Sequence, residues 1–242
     1  DFALGLHLPG RYDKILNIDK CYIQKDTAND ILNIVKKYSS DMEPYDILAH
    51  KGFLRNLMIR HANNTNEIMV NIVTAYEDTK TLKPLAEKIV EQVSNVKSIV
   101  NNITSRKSGV STGEHEINLY GKNFIQERLN GLTFNISANS FFQTNTKQTE
   151  NLYSMIIEEA NLTGNEIVYD LYCGTGTIGI SMAPYAKLVY GFEINESAIN
   201  DATVNAKINN IKNIKFFKGD LQNIFRVNLA AKKLQKPDII II

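Results

Sequence analysis

Three acids and a glycine turn are the residues in this chain best suited to chemistry. Gly174-Thr175-Gly176 stands between two apolar runs, residues 167–172 and 188–192. Asp170 lies four positions before the first glycine, Glu193 closes the second run, and Asp220 follows a third run at 214–217. Glycines at a turn admit positive φ and leave open to a ligand main-chain N–H groups that a Cβ would shield. A carboxylate ending the next strand accepts hydrogen bonds from a ribose diol. The implied chemistry is capture of a nucleoside-containing cofactor. Gly174, Gly176 and Gly179 also satisfy G-x-G-x-x-G, with Glu193 at about the spacing of a dinucleotide fingerprint. Asp170 tilts the choice, because an acid there holds a ligand ammonium but repels a pyrophosphate. S-adenosylmethionine, which carries an amino acid, fits better than NAD, and an NAD-linked oxidoreductase is the competing reading. The plain structural alternative is an ordinary βα turn with Asp170 as a helix-start carboxylate.

The surrounding pattern supplies the elements these residues need. Residues 147–160 have helical spacing that predicts Leu152, Met155, Ile156 and Ile157 on a buried face, and 196–210 repeats the helical pattern. Residues 238–242 begin another apolar strand. Alternating strand and helix implies an α/β, Rossmann-like doubly wound sheet over 138–242, with ligands at the carboxyl ends of its strands. Upstream, 1–137 reads as a smaller α+β domain. It has a helix at 23–38, two apolar runs around the polar cluster 63–66, a helix at 82–93 and a strand at 96–104. Short strands follow, the last two, 123–129 and 132–137, joined by Asn130-Gly131, a strong hairpin signal.

Composition bounds the possibilities. The 242 residues carry 27 Lys and Arg against 26 Asp and Glu, so any nucleic-acid face must be local. No run is long and apolar enough to cross a membrane, and the first residues lack the pattern of a signal peptide, which together predict a cytoplasmic location. Two cysteines far apart, Cys21 and Cys173, do not suggest a structural disulfide. A chain that begins without Met and stops within an apolar run reads as a piece of a longer protein.

SANSFFQTN (137–145), DLYCGTGTIG (170–179), the acid of GFEIN (191–195), the helix with Asn205 and Asn209, and Asp220 together resemble the RNA uracil-C5-methyltransferases, which form 5-methyluridine with S-adenosylmethionine. The resemblance extends more loosely upstream through GLHLPGRYDKILNIDKCYIQ and FLRNLMIR. It implies a truncated S-adenosylmethionine-dependent methyltransferase domain, with Gln143, Tyr172, Thr177, Glu193 and Asp220 around the cofactor. Phe141 and Phe142 become candidates to stack on an extruded base, a contact worth about 1–3 kcal/mol per base. The family's chemistry adds a cysteine to uracil C6, lets C5 take the methyl group, and removes the C5 proton with a base. By the resemblance both catalytic groups follow Ile242, so Cys173 is expected to be a packed residue and the 242-residue chain inactive by itself. DKCYIQ resembles the last cysteine of a [4Fe–4S] site in the ribosomal-RNA branch, which makes Cys21 a candidate fourth ligand and ribosomal RNA the expected substrate over transfer RNA. A non-catalytic RNA-binding module that keeps the fold without the chemistry is the remaining alternative.

Overall fold

A computed structural model of the chain describes residues 2–107, 112–230 and 234–242. The chain divides into two compact units, Asp1–His61 with Asn66–Ile125, and Ala62–Thr65 with Gln126–Ile242.

The first unit opens with an antiparallel hairpin, β1 (Gly5–Leu8) and β2 (Arg11–Asn17), followed by helix α1 (Asp26–Ser39). Strands β3 (Leu54–His61) and β4 (Ile68–Thr74), helix α2 (Thr79–Gln92), and strands β5 (Val96–Ile103) and β6 (His115–Gly121) complete it. The four strands form one sheet in the order β3-β4-β5-β6, with β4 and β5 parallel across the α2 connection. Ile31, Ile34 and Val35 of α1 and Leu82, Leu85 and Ile89 of α2 recur at helical spacing and bury against Ile68, Val70 and Ile72 of β4. Asp78 starts α2 by accepting the Thr81 N–H at 3.1 Å, which satisfies one of the orphan donors of a helix start. This is the strand, strand, helix, strand order expected from the pattern.

The second unit takes up β7 (Phe124–Leu129) from Gln126 onward and β8 (Leu132–Ser137), joined by Asn130 at φ 47° and Gly131 at φ 82°, the paired positive φ of a tight hairpin turn. Helix α3 (Thr146–Glu159) leads into β9 (Ile167–Leu171), α4 (Thr177–Met182), β10 (Leu188–Glu193), α5 (Glu196–Ile208), β11 (Ile214–Lys218), α6 (Leu221–Ala230) and β12 (Ile239–Ile241). The last four strands make a parallel sheet in the order β11-β10-β9-β12. Strand order therefore reverses beside β9, and ligands of such sheets bind at the carboxyl ends near that switch point. Both faces are covered, so β9 and β10 are apolar apart from Asp170 and Glu193 toward their carboxyl ends. Tyr169, Tyr190 and Phe192 join Phe217 and Phe225 on one face, while Val168 and Val189 meet Met182 and Ala183 on the other. Asp238 pins the entry to β12, donating its N–H to the Ile167 carbonyl at 2.9 Å and accepting the Ile167 N–H at 2.8 Å.

Two features differ from the sequence-based expectation. The division falls at 125/126 rather than 137/138, because the backbone of β8 is held by side chains of α5 in the second unit. The α3 expectation is corrected in part. Ile156 and Ile157 pack half-buried against the core as expected, but Leu152 and Met155 are exposed, and the helix also buries Thr149 and Tyr153. Tyr153 has a partner for its hydroxyl inside the unit, Thr177 at 2.7 Å.

Candidate cofactor site

The backbone leaves β9 through three left-handed residues in five positions, Tyr172 at φ 61°, Gly174 at 53° and Gly176 at 78°. Gly176 is required twice over. Its φ disfavours any side chain, and a Cβ would lie 3.0 Å from both the Ala202 methyl and the Phe216 ring. Gly174 has open space where a Cβ would be, which is the clearance a ligand needs to approach main-chain N–H groups. Gly179 sits where α4 packs on the sheet, and a Cβ there would meet the Asp170 carboxylate at 2.9 Å.

Four elements hold this turn. From β10, the Phe192 carbonyl accepts the Cys173 N–H at 2.9 Å, and Glu193 Oε2 accepts the Gly174 N–H at 3.1 Å. From β9, Asp170 Oδ2 accepts the Gly179 N–H at 2.9 Å. From α3, the Tyr153 hydroxyl bonds Thr177, and from α5, Asn205 Nδ2 donates to the Thr175 carbonyl at 3.3 Å. Glu193 Oε1 accepts the Asn195 N–H at 2.8 Å, and its half-buried carboxylate keeps lone pairs for further donors. The parallel register sets Glu193 beside Lys218, and the Gly219 N–H bonds the Glu193 carbonyl at 2.9 Å. Asp220 therefore emerges at the same sheet edge. It is exposed, and one of its oxygens caps α6 by accepting the N–H groups of Gln222 and Asn223 at 3.0 and 3.2 Å.

The expected site residues thus separate into groups. Gly174, Gly176, Tyr172, Glu193 and Asp220 surround the carboxyl ends of β9, β10 and β11, with the Tyr172 ring 68% exposed. Ile194, 67% exposed directly after Glu193, joins them; the signal in the sequence was an apolar residue outside any strand beside a strand-ending acid. Thr177 lies at the turn, but its hydroxyl is engaged by Tyr153. Asp170 differs from the expectation of a carboxylate offered to a ligand ammonium: it is 2% exposed and turned toward Gly179 beneath the turn. Phe141 and Phe142 part company. Phe141 is 73% exposed, whereas Phe142 is buried with its ring 6.4 Å from that of Phe134. Gln143 is exposed on the same irregular segment between β8 and α3. Burial, aided by repulsion from Asp170 and Glu193, pushes the Cys173 thiol far above the thiolate range, as suits a packed residue. Cys21 is half-buried, with its backbone N–H and carbonyl both bonded by the Asn29 amide at 2.8 and 3.2 Å. Among the described residues no three His, Cys, Asp or Glu side chains gather to hold a metal, and no helix is long and apolar enough to cross a membrane.

A parallel sheet whose strand order reverses beside a glycine turn, with an acid ending the neighbouring strand, is a Rossmann-like fold, and its likeness to solved proteins makes it that of S-adenosylmethionine-dependent methyltransferases. A solved relative agrees, the tRNA (uracil-54, C5)-methyltransferase of Pyrococcus abyssi in complex with S-adenosyl-L-homocysteine. It superposes with a TM-score of 0.72 at 33% identity, covering 86% of this chain and 50% of that one. The sequence profile described as tRNA (Uracil-5-)-methyltransferase matches residues 17–226, and the chain belongs to that family. It is 43% identical over 99% of its length to an uncharacterized RNA methyltransferase of Chlorobaculum tepidum, and 39% identical over 96% to one of Clostridium acetobutylicum. The chain spans about half the length of these curated relatives, 50% of each.

Burial pushes the Asp170 carboxyl up to about 7, with the Gly179 N–H pulling the other way. Asp170 near neutral pH is then partly protonated, so it repels a pyrophosphate less than the sequence suggested. A carboxyl whose folded pKa exceeds its unfolded value of 3.8 binds more protons folded than unfolded, so stability falls as pH rises from that value to about 7. Asp170→Asn keeps an acceptor for Gly179 and removes the titration. In urea unfolding across this window, the variant should gain on the wild type by about 1 kcal/mol per pH unit and level off above it. A difference that stays flat with pH would contradict the buried carboxyl.

Proposed function

We infer that the chain is the cofactor-binding part of an enzyme that methylates uracil C5 in RNA with S-adenosylmethionine, giving 5-methyluridine. One observation carries the reading: the Glu193 carboxylate, at the end of β10, is already bonded to the Gly174 N–H of an open turn, which is where a ribose diol would be accepted. Asp220 at the same edge suits the adenine amino group, and Tyr172 and Ile194 offer apolar surface to the base. Gly174, Gly176 and Thr177 contribute main chain, and Gln143 offers both a donor and an acceptor. Asp170 holds the turn through Gly179. When bound, S-adenosylmethionine supplies an electrophilic methyl group.

The RNA side falls to the segment after β8. Phe141 is exposed and suited to stack on an extruded base, while Phe142 anchors the segment by packing near Phe134. The nucleophile that adds to C6 is a cysteine other than Cys173, whose thiol is buried and protonated, and both it and the general base come from outside these 242 residues. Ribosomal RNA is the expected substrate and the cytoplasm the expected location. The second rests with the sequence pattern of the described residues and the family, and the first with the reading of Cys21 as the last ligand of a [4Fe–4S] cluster whose other cysteines lie outside this chain. A half-buried thiol on a backbone clamped by Asn29 fits that role.

Three measurements on the complete protein test these assignments. Calorimetric titration should show binding of S-adenosylhomocysteine and none of NAD, with Glu193→Ala weakening the former by about ten- to a hundredfold, the size expected for a charge-assisted bond; tight NAD binding would restore the oxidoreductase reading. Mapping of 5-methyluridine in cells lacking the gene should show loss from ribosomal RNA, whereas loss from transfer RNA alone would move the substrate, and no loss would favour a non-catalytic module. Iron and acid-labile sulfide should be present and fall sharply in Cys21→Ser; a metal-free wild type purified without air would remove the cluster.

A further inference from the structure

The outer edge of β8 is paired by a helix. Thr133 and Asn135 point their N–H and carbonyl groups the same way, two residues apart, and α5 answers with two asparagines four residues apart. Asn209 Oδ1 accepts the Thr133 N–H at 2.9 Å while its Nδ2 donates to the Thr133 carbonyl at 2.6 Å. Asn205 Oδ1 accepts the Asn135 N–H at 2.8 Å while its Nδ2 reaches the Asn135 carbonyl at 3.4 Å. The spacing works because four helical residues rise about 6 Å and two strand residues about 6.6 Å. Asp201, one turn earlier, continues the stripe. It accepts from the Ser137 hydroxyl at 2.7 Å and also from Ser140, directly before Phe141.

One member of this stripe does more. The Asn205 amide is wholly buried, and its Nδ2 also donates to the Thr175 carbonyl at 3.3 Å, in the middle of the glycine turn. The close approach that permits this is the one Gly176 creates, where a Cβ would meet Ala202 on the same helix at 3.0 Å. We propose that Asn205 is a positioning residue that locks the cofactor turn to the strand leading into Phe141 and Gln143. The turn and the base-side segment then keep a fixed spacing, and cofactor affinity depends on a side chain whose polar atoms are spent on backbone. The proposal rests on reading the turn as a cofactor site.

Asn209 provides the matched control, since it makes the same paired bonds to β8 without reaching the turn. In the complete protein, Asn205→Ala and Asn209→Ala should lower the thermal midpoint by similar amounts. S-adenosylhomocysteine, titrated calorimetrically, should bind about three- to tenfold more weakly to the first and within about twofold of wild type to the second, the size of one lost hydrogen bond. Asn205→Asp, paired with Asn209→Asp, preserves size and the acceptor for Asn135 while removing the amide donor to Thr175; it should reproduce the selective loss and carries the test if the alanine variant does not fold. Equal weakening in the two series, or unchanged binding in the Asn205 variants, would overturn the proposal. A wild-type protein that fails to bind S-adenosylhomocysteine would instead remove the cofactor reading itself, and the lock with it.

Discussion

The second unit depends on a backbone that would not hold its shape unaided. Left-handed φ at a non-glycine residue costs about 1–2 kcal/mol, and Tyr172 adopts it between β9 and two further left-handed residues, Gly174 and Gly176. Such a turn persists only where its surroundings over-determine it. Here the Phe192 carbonyl, the Glu193 carboxylate, the Asp170 carboxylate and the Asn205 amide each take one main-chain group of the turn or of the helix after it. The result is a turn whose main-chain groups are largely satisfied within the unit, with open space beside Gly174 and the Glu193 carboxylate at its edge.

Polar burial elsewhere in the unit follows the same rule. Glu127 is 1% exposed, a position in which an unpartnered carboxylate would be costly. Its oxygens accept the N–H groups of Asn63 and Asn64 at 2.5 and 2.9 Å and the Thr146 hydroxyl at 2.7 Å. The tip between β3 and β4 therefore belongs to the second unit even though its strands belong to the first. Thr146 is the first residue of α3, so the same carboxylate fixes the far end of the segment carrying Phe141 and Gln143. That segment is pinned at both ends, by Asp201 through Ser137 and Ser140 and by Glu127 through Thr146.

Much of the fold was legible because its signals are short-range. Asn130-Gly131 declared its hairpin through the φ values only such a pair accepts readily, and the alternation of apolar runs with helical spacing declared the parallel sheet. The acids ending β10 and β11 were legible as site residues because strand ends of such sheets converge on one edge. The α3 face was legible at Ile156 and Ile157, which pack on the core, and misread at Leu152 and Met155, which lie exposed beside a buried Tyr153 whose hydroxyl partner is 24 residues away. The 137/138 boundary was misplaced for a similar reason, since the partners of β8 lie about 70 residues downstream.

The sequence by itself determined the order of elements, the turn, and the residue types gathered at the strand ends, since periodicity, glycine stereochemistry and the length of a strand are local properties. Tertiary structure alone decided how those side chains are used. It turned Asp170 under the cradle, engaged the Thr177 hydroxyl, buried Phe142 while leaving Phe141 in solvent, and made Asn205 the bond between turn and strand. Each outcome depends on which distant group reaches a donor or acceptor first, and no spacing along the chain records that.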